Sequence, residues 1–310
     1  DTINTINAIK NSLKLFNNVN MVEANKDAYE KLKAIQPDIV FNYSEGANGL
    51  SREAQIPAML DMLCIPYTGS DPLTLTTCLN KARTKEILSY HNIPNAKFTV
   101  AFENDLPKNF DLNFPIIIKP IGEGSSKGIF NNSYIGSKEE LICALNSNVN
   151  NYNQPFIIEE FLPGREFTVA IIGNGDEAEV LPIVEMNFNS LPKDLVPIYS
   201  FEAKWVEDTR DKPLEIFSCP AKIDFEIERK IREIALSTYN ILNCKDWSRI
   251  DIRLNKDDQP NVIEVNPIPG ALPDPMDNSC FPKAARAYGL TYEEMINKVL
   301  FVAAKRHKLI

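Results

Sequence analysis

The stretch WSRIDIRLNKDDQPNVIEVN (Trp247–Asn266) alternates with a period of two. In its first half Ile250, Ile252 and Leu254 alternate with Arg249, Asp251 and Arg253; in its second, Ile263 and Val265 alternate with Glu264 and Asn266. That period belongs to a strand with one apolar and one polar face. The polar segment Asn255–Pro260 between the halves predicts a hairpin turn. Pairing the two strands brings Asp251, Glu264 and Asn266 to one point on the polar face. An all-oxygen set of this kind suits Mg²⁺, which binds through one or two carboxylates and keeps waters and phosphate oxygens as its other ligands. Arg249, on the same face as Asp251, is placed to meet an anion held by such an ion. A half-exposed hairpin with a solvated polar face shows the same alternation. A site is favoured by the ending, where a carboxylate-x-Asn closes an apolar strand and runs into Pro267-Ile268-Pro269-Gly270.

Two upstream segments carry related chemistry. In PIIIKPIGEGSSKGI (Pro115–Ile129) an apolar strand ends at Lys119 and opens into a loop with Gly122, Gly124, Ser125, Ser126 and Gly128. Glycines let successive backbone N–H groups converge on one anion, serines add donors, and the lysine adds charge. The lysine precedes the glycines, so this is no Walker loop; taken alone, it also reads as a flexible surface turn. In IIEEFLPGREF (Ile157–Phe167) a strand runs into Glu159, Glu160, Pro163-Gly164 and Glu166. A hinge of that composition offers an acceptor to an adenine amino group and a carboxylate to a ribose; taken alone, it is a hairpin with solvated charges.

Around these segments the chain alternates helices with short apolar runs, which predicts a parallel sheet with crossovers at the N-terminal end. A helix through Ile6, Ile9, Leu13 and Phe16 comes first. A strand at Val19–Val22, a helix at Lys26–Ile35, a strand at Ile39–Tyr43, a helix at Arg52–Leu63 and a strand in IPYTGS (Ile65–Ser70) follow. A sheet that opens on a helix predicts a further strand ahead of Asp1. After a helix at Lys81–Tyr90, strands are expected at Phe98–Val100, Pro115–Lys119, Phe156–Glu160 and Phe167–Ile172. A helix over Ser137–Asn146 opens with the capping box Ser137/Glu140. A long helix carries Ile227, Ile231, Ile234, Ala235 and Leu242 on one face, and a closing helix has the box Thr291/Glu294. Three units are expected, at residues 1–82, 83–176 and 177–310.

Composition narrows the function. With 310 residues, 44% of them hydrophobic and 24% charged, the chain is long enough for several packed subdomains and has the make-up of a globular protein. A formal charge of −9 argues against nucleic acid as main partner. No run approaches the ~20 apolar residues that span a bilayer. The cysteines Cys64, Cys78, Cys143, Cys219, Cys244 and Cys280 are scattered, which argues against zinc and a disulfide framework and fits a reducing cytoplasm; they read as small buried or half-buried apolar residues. His91 and His307 are the only histidines, so His-dependent nucleophilic catalysis has little to draw on.

Read in order, IPYTGS, NKARTK (Asn80–Lys85), KPIGEGSSKG, EEFLPGREFTV, FEAKW (Phe201–Trp205), WSRIDIRL and EVNPIPG resemble the ATP-grasp superfamily, in its D-alanine–D-alanine ligase-like branch. The resemblance covers nearly the whole chain. It implies an α/β (α+β) fold in which an N-terminal parallel α/β domain precedes two α+β subdomains that hold ATP between them. It implies that Lys81 and Lys119 hold ATP phosphates beneath a loop with Glu123, Ser125 and Ser126, and that Glu159, Glu160, Phe161 and Leu162 line the adenine pocket. Glu166 would bind the ribose and Lys204 would lie on a lid near the nucleotide. Asp251, Glu264 and Asn266 would ligate two Mg²⁺, with Mn²⁺ as a substitute. Arg249 and the Gly270 backbone would stabilise a tetrahedral intermediate, with Ser125 over the reacting centre. The implied reaction phosphorylates a small carboxylate with ATP, after which an amine displaces phosphate from the acylphosphate. Analogy also implies a homodimer in the cytoplasm.

Three departures concern the substrate. Trp205 follows the lid lysine where the family usually carries Tyr. The segment ALPDPMDNSC (Ala271–Cys280) puts Asp274 and Asp277 where a Ser-rich turn usually receives the acceptor carboxylate, leaving Ser279 as the remaining hydroxyl. The N-terminal Glu that reads the first amino acid's ammonium has no clear counterpart, although Glu45 in SEGANG offers an acid. The leading expectation is therefore a ligase whose amine is not D-alanine. The alternatives are a D-alanine–D-alanine ligase of cell-wall synthesis and a nucleotide-binding protein without turnover.

Overall fold

In a computed structural model that describes residues 2–102, 106, 110–208 and 214–310, the chain begins with helices α1 (Ile3–Leu13), α2 (Ala28–Ile35), α3 (Gln55–Met62), α4 (Pro72–Leu79) and α5 (Lys81–Tyr90). Strands β1 (Phe98–Ala101), β2 (Ile116–Pro120) and β3 (Tyr134–Ile135), helix α6 (Lys138–Tyr152) and strand β4 (Phe156–Glu160) come next. Strands β5 (Glu166–Ile172), β6 (Glu179–Val180), β7 (Val184–Met186) and β8 (Phe217–Ser218) lead to helix α7 (Phe225–Ile241). The hairpin β9 (Trp247–Leu254) and β10 (Pro260–Asn266) then precedes α8 (Cys280–Tyr288) and α9 (Tyr292–Arg306).

Two antiparallel sheets carry the molecule: β1-β4-β2-β3, and β10-β9-β5-β7-β8 with β6 beside β5. In both, the alternation of side chains decides what each face does. Ile250, Ile252 and Leu254 of β9 join Phe167, Val169 and Ile171 of β5 in a core closed by Ile231, Ala235 and Tyr239 of α7. On the opposite face one end is apolar too: Trp247, Ala170 and Ile172 pack against Phe281 of α8 and Met295, Ile296 and Val299 of α9. Farther along that same face stand Arg249, Asp251 and Arg253, which line a cleft. Each buried aliphatic of this kind contributes roughly 1.5–3 kcal/mol, which fixes the register and therefore the placement of the polar set. The smaller sheet repeats the device. Ile116, Ile118, Phe156 and Ile158 pack on Leu141 and Leu145 of α6, while Ile117, Lys119 and Glu159 on the other face line the cleft.

Helix ends follow local chemistry. Thr291 and Glu294 form the expected reciprocal capping box on α9. On α6 only half of the expected box forms: Ser137 Oγ accepts the Glu140 N–H at 3.2 Å, and the Glu140 carboxylate accepts instead from Gly136 N at 2.7 Å. The N-terminal region departs more. Its expected parallel sheet is present as a single parallel bridge, Val40 with Tyr67, and Val19–Val22 forms no strand. Beyond the bridge the ladder donors are taken elsewhere: Pro66 has no N–H, and the Asn42 N–H goes to Thr68 Oγ1 at 3.0 Å. Here Ala28, Leu32, Ile56, Leu60, Ile65 and Tyr67 form a small core of their own. Contrary to expectation, Cys64 and Cys143 are exposed. Among the described residues no helix is long and apolar enough to cross a membrane.

Candidate active site

The register of the hairpin sets Glu264 directly opposite Asp251 and Asn266 directly opposite Arg249, with a bulge between Val262 and Glu264. Thr168 of β5 lies on the other side of Asp251 and donates from Oγ1 to its Oδ1 at 2.7 Å. Asn266 Nδ2 reaches Asp251 Oδ2 at 3.3 Å. Arg249 grips Asp251 through both Nε (3.0 Å) and Nη2 (2.9 Å), and Lys81 Nζ meets Glu264 Oε1 at 2.7 Å. Arg249 is thus turned onto its neighbour on the strand rather than outward over the cleft. Burial disfavours charge on Glu264, but Lys81 and Arg249 outweigh it and hold its carboxyl below the usual range.

The charged and hydroxyl residues given a site role from the sequence line one cleft of about 1640 Å³, as do Gly124, Phe161, Leu162, Trp205 and Gly270, whereas Gly122 and Gly128 of the loop do not line it. Its second wall comes from the smaller sheet and α5. Lys119 Nζ binds Glu159 Oε2 at 2.6 Å, and Lys85 Nζ binds Glu159 Oε1 at 2.6 Å. Burial opposes the charge on Glu159, yet the two ammonium groups hold its carboxyl down at about 2. The Glu159 carboxylate is therefore engaged by lysines rather than presented to an adenine. Glu160 turns its carboxylate to the N–H and Nδ2 of Asn113, at 2.8 and 2.9 Å. Phe161 carries the guanidinium of Arg253 4.7 Å above its ring, and Arg253 Nη1 binds Glu166 at 2.9 Å. Burial raises the Glu166 carboxyl even so. Thus Glu166 has a built-in partner that the sequence reading did not supply.

The Gly-rich loop arches over the cleft. Ser125 and Ser126 both adopt left-handed backbone, with φ of 55° and 60°, a conformation costing a side-chain-bearing residue roughly 1–2 kcal/mol. Gly128, at φ 77°, passes so close to Pro120 that a Cβ would lie 2.3 Å from its ring. The loop is held by the segment that follows: Ser126 Oγ donates to the Tyr199 carbonyl (2.7 Å), Phe201 N to Ile129 O (2.7 Å) and Trp205 Nε1 to Ser125 O (3.2 Å). Glu123 is fixed by Gln154 Nε2 at 2.9 Å, and its carbonyl accepts from Lys81 Nζ. Lys204 stands 5.4 Å over the Trp205 ring, its ammonium pushed down by burial and by Arg249. Ser279 Oγ closes its own loop, accepting from Leu272 N and donating to Gly270 O at 3.2 Å each. Asp274 Oδ1 accepts from Met276 N at 2.9 Å, while Asp277 and the exposed Glu45 line the same cleft.

Lys85, Arg253 and Glu53 belong to the site but were not singled out in the sequence. Lys85 could have been found one helical turn after Lys81, and Arg253 by its place on the polar face of β9. Glu53, whose carboxyl burial lifts to about 7, gave no signal. The arrangement fits a nucleoside triphosphate with its magnesium: lysines and converging loop groups on one wall face a carboxylate pair on the other, and the oxygen donor set Asp251, Glu264 and Asn266 is one that Mg²⁺ accepts. Asp251, Glu264 and Asn266 would hold such an ion, which would supply positive charge to the phosphates.

A family model described as "D-ala D-ala ligase C-terminus" matches residues 87–301. An uncharacterized protein, y4sG, of Sinorhizobium fredii is 34% identical over 269 residues, covering 87% of this chain and 75% of its own length. A D-alanine–D-alanine ligase of Carboxydothermus hydrogenoformans is 31% identical over 300 residues, covering 94% and 89%. Among solved structures, the D-alanine–D-alanine ligase of Bacillus anthracis complexed with ATP superposes with a TM-score of 0.74 at 23% identity, covering 99% of this chain and 94% of that one. Members of this family use ATP and magnesium to join small carboxylates to amines. With the family model spanning most of its length and the ATP-grasp arrangement of its sheets, the chain belongs to the D-alanine–D-alanine ligase family and is an ATP-dependent carboxylate–amine ligase that forms a C–N bond.

Proposed function

We propose that this ligase joins an amino acid or related carboxylate to an amine other than D-alanine. Lys81 and Lys119 hold the phosphates of ATP, the Glu160–Leu162 segment flanks the adenine, and Glu166, steadied by Arg253, meets the ribose. Asp251, Glu264 and Asn266 hold two Mg²⁺, for which Mn²⁺ can substitute. Bound magnesium supplies charge neutralisation at the transferring phosphoryl group. Arg249 and the Gly270 backbone steady the oxyanion of the tetrahedral intermediate, and Ser125 and Lys204 close over it. The units 1–82, 83–176 and 177–310 act as the N-terminal domain and two nucleotide-gripping subdomains of a cytoplasmic homodimer; scattered free thiols support the reducing compartment.

One observation carries the assignment: Asp251, Glu264 and Asn266 stand together on the polar face of the hairpin, with Lys81 paired to Glu264 and Lys119 in the same cleft. Glu264→Gln or Asn266→Ala should lower ATP-dependent phosphate release by 100-fold or more, roughly 3 kcal/mol of transition-state stabilisation, with thermal unfolding unchanged. Full activity in both variants would remove the metal site from this hairpin.

The acceptor reading rests on the acids. Glu45, Glu53, Asp274 and Asp277 share the cleft, the Ser279 hydroxyl is engaged in its own loop, and the Trp205 N–H is engaged by Ser125. Two carboxylates about 4 Å apart repel by about 4 kcal/mol at an effective dielectric near 20. Amines without a free carboxylate should therefore exceed D-alanine in kcat/KM by at least about tenfold. Steady-state kinetics over a panel of amines, amino-acid amides and amino acids, with the product identified by mass, decides this. D-alanine as best acceptor would return the chain to cell-wall dipeptide synthesis, and nucleotide binding without turnover on any substrate would mark it as a silent binder.

A further inference from the structure

Lys85 takes no part in the steps above, yet its side chain is 2% exposed and lies against the nucleotide wall. Its ammonium has two neighbours, Glu159 Oε1 at 2.6 Å and the Val262 carbonyl at 3.4 Å. Glu159, 4% exposed, uses its other oxygen on Lys119 at 2.6 Å, and Lys119 is the most open of the three at 12%. Two ammonium groups thus share one carboxylate, so the triad carries one unbalanced positive charge, with its outermost member in the cleft. A lone Lys119–Glu159 pair would be neutral and would offer a phosphate little.

We propose that Lys85 is a positioning residue for the nucleotide. By occupying one oxygen of Glu159, it keeps the charge of Lys119 available to phosphate and holds that flexible side chain in a fixed place before the ligand arrives. The inference rests on the reading that ATP phosphates lie at Lys119.

The test is a set of dissociation constants for ATP, ADP and adenosine, measured by competition titration, with melting temperature as the check on folding. Lys85→Met neutralises the triad. It should weaken ATP and ADP by about tenfold or more, with adenosine changed by no more than about twofold. The double variant Lys85→Met/Glu159→Gln leaves Lys119 as the only charged member of the triad, with Glu166 and Glu264 nearby as in the wild type, and should recover ATP and ADP to within about threefold of the wild type. If Lys85→Met alone fails to fold, the double variant carries the test through that same recovery. Equal losses for adenosine and ADP, no loss at all, or no recovery in the double variant would each overturn the proposal. A wild type that binds ADP no better than adenosine would instead remove phosphate binding at Lys119, and the proposal with it.

Discussion

Glu53 shows how a residue's surroundings set its chemistry. Burial in the cleft raises its carboxyl to about 7, with Arg52 and Lys81 pulling the other way and Glu45 and Glu264 adding to the rise. The folded-state value lies above that of the unfolded chain, so the native state binds this proton more tightly. The resulting stabilisation is complete below about pH 4.5 and is lost as the pH rises through 7. Glu53→Gln mimics the neutral acid. Its melting temperature should match the wild type near pH 4.5 and exceed it by roughly 2–6 °C at pH 7.5. A gap that does not vary with pH would mean that Glu53 titrates normally in the fold. At this scale Asp251, Glu264 and Asn266 were legible, because a strand's period of two orients side chains by arithmetic. Glu53 was not, because burial is a property of the neighbours.

At the scale of elements, the Gly122–Gly128 loop and the segment around Ser190–Lys204, which ends at the lid lysine, lie more than sixty residues apart in the sequence, with no local pattern to link them. The structure ties them together: the Ser126–Tyr199, Ile129–Phe201 and Ser125–Trp205 bonds run between them, and Asn131 adds bonds from its N–H to Glu202 and from Val196 N to its Oδ1. Such solvent-near hydrogen bonds belong to the low-stability end of a fold, although Leu191, Ile198 and Ala203 are buried in the second segment. Hydrogen exchange should therefore slow in both segments together when a non-hydrolysable ATP analogue and Mg²⁺ are added. Trp205→Phe, which keeps the ring but removes the N–H donor, should raise exchange in both by a few-fold in the absence of nucleotide. Protection confined to one segment would show that the bonds do not couple them.

Across the whole molecule, one buried carboxylate pins distant parts of the chain. Asp246, fully buried, accepts from Gly69 N (2.8 Å), Asn174 Nδ2 (2.8 Å) and Arg306 Nη2 (2.7 Å), and Arg306 Nη2 also donates to the carbonyls of Tyr67 and Gly69. The pin joins the N-terminal segment to β9 and to the last helix. Asp246→Ala would strip the guanidinium of its counter-charge and leave the buried Gly69 N–H without its acceptor, and should cost about 3 kcal/mol in urea unfolding. A loss under roughly 1 kcal/mol would mean that apolar packing alone seats the N-terminal segment. ATP affinity in this variant gives a second reading, since Gly69 and Lys81 lie on the same stretch of chain.

The sequence by itself determined the longer strands β1, β2, β4, β5, β9 and β10, the long helices with their spacing and the polar face of the hairpin, because hydrophobic periodicity and capping chemistry act over a few neighbouring residues, while the short strands β3, β6, β7 and β8 left no such pattern. Its ordered motifs also pointed to the family. Only the tertiary structure decided how those pieces compete for partners. It turned Arg249 onto Asp251, bound Glu159 between Lys85 and Lys119, closed Ser279 on Gly270, and reduced the expected N-terminal parallel sheet to one bridge between Val40 and Tyr67. Apart from the Arg249–Asp251 pair, two residues apart on one strand, each of these outcomes depends on groups tens of residues away or on a loop closing upon itself. Charge pairing and burial are set by distance in space, and local pattern carries no record of it.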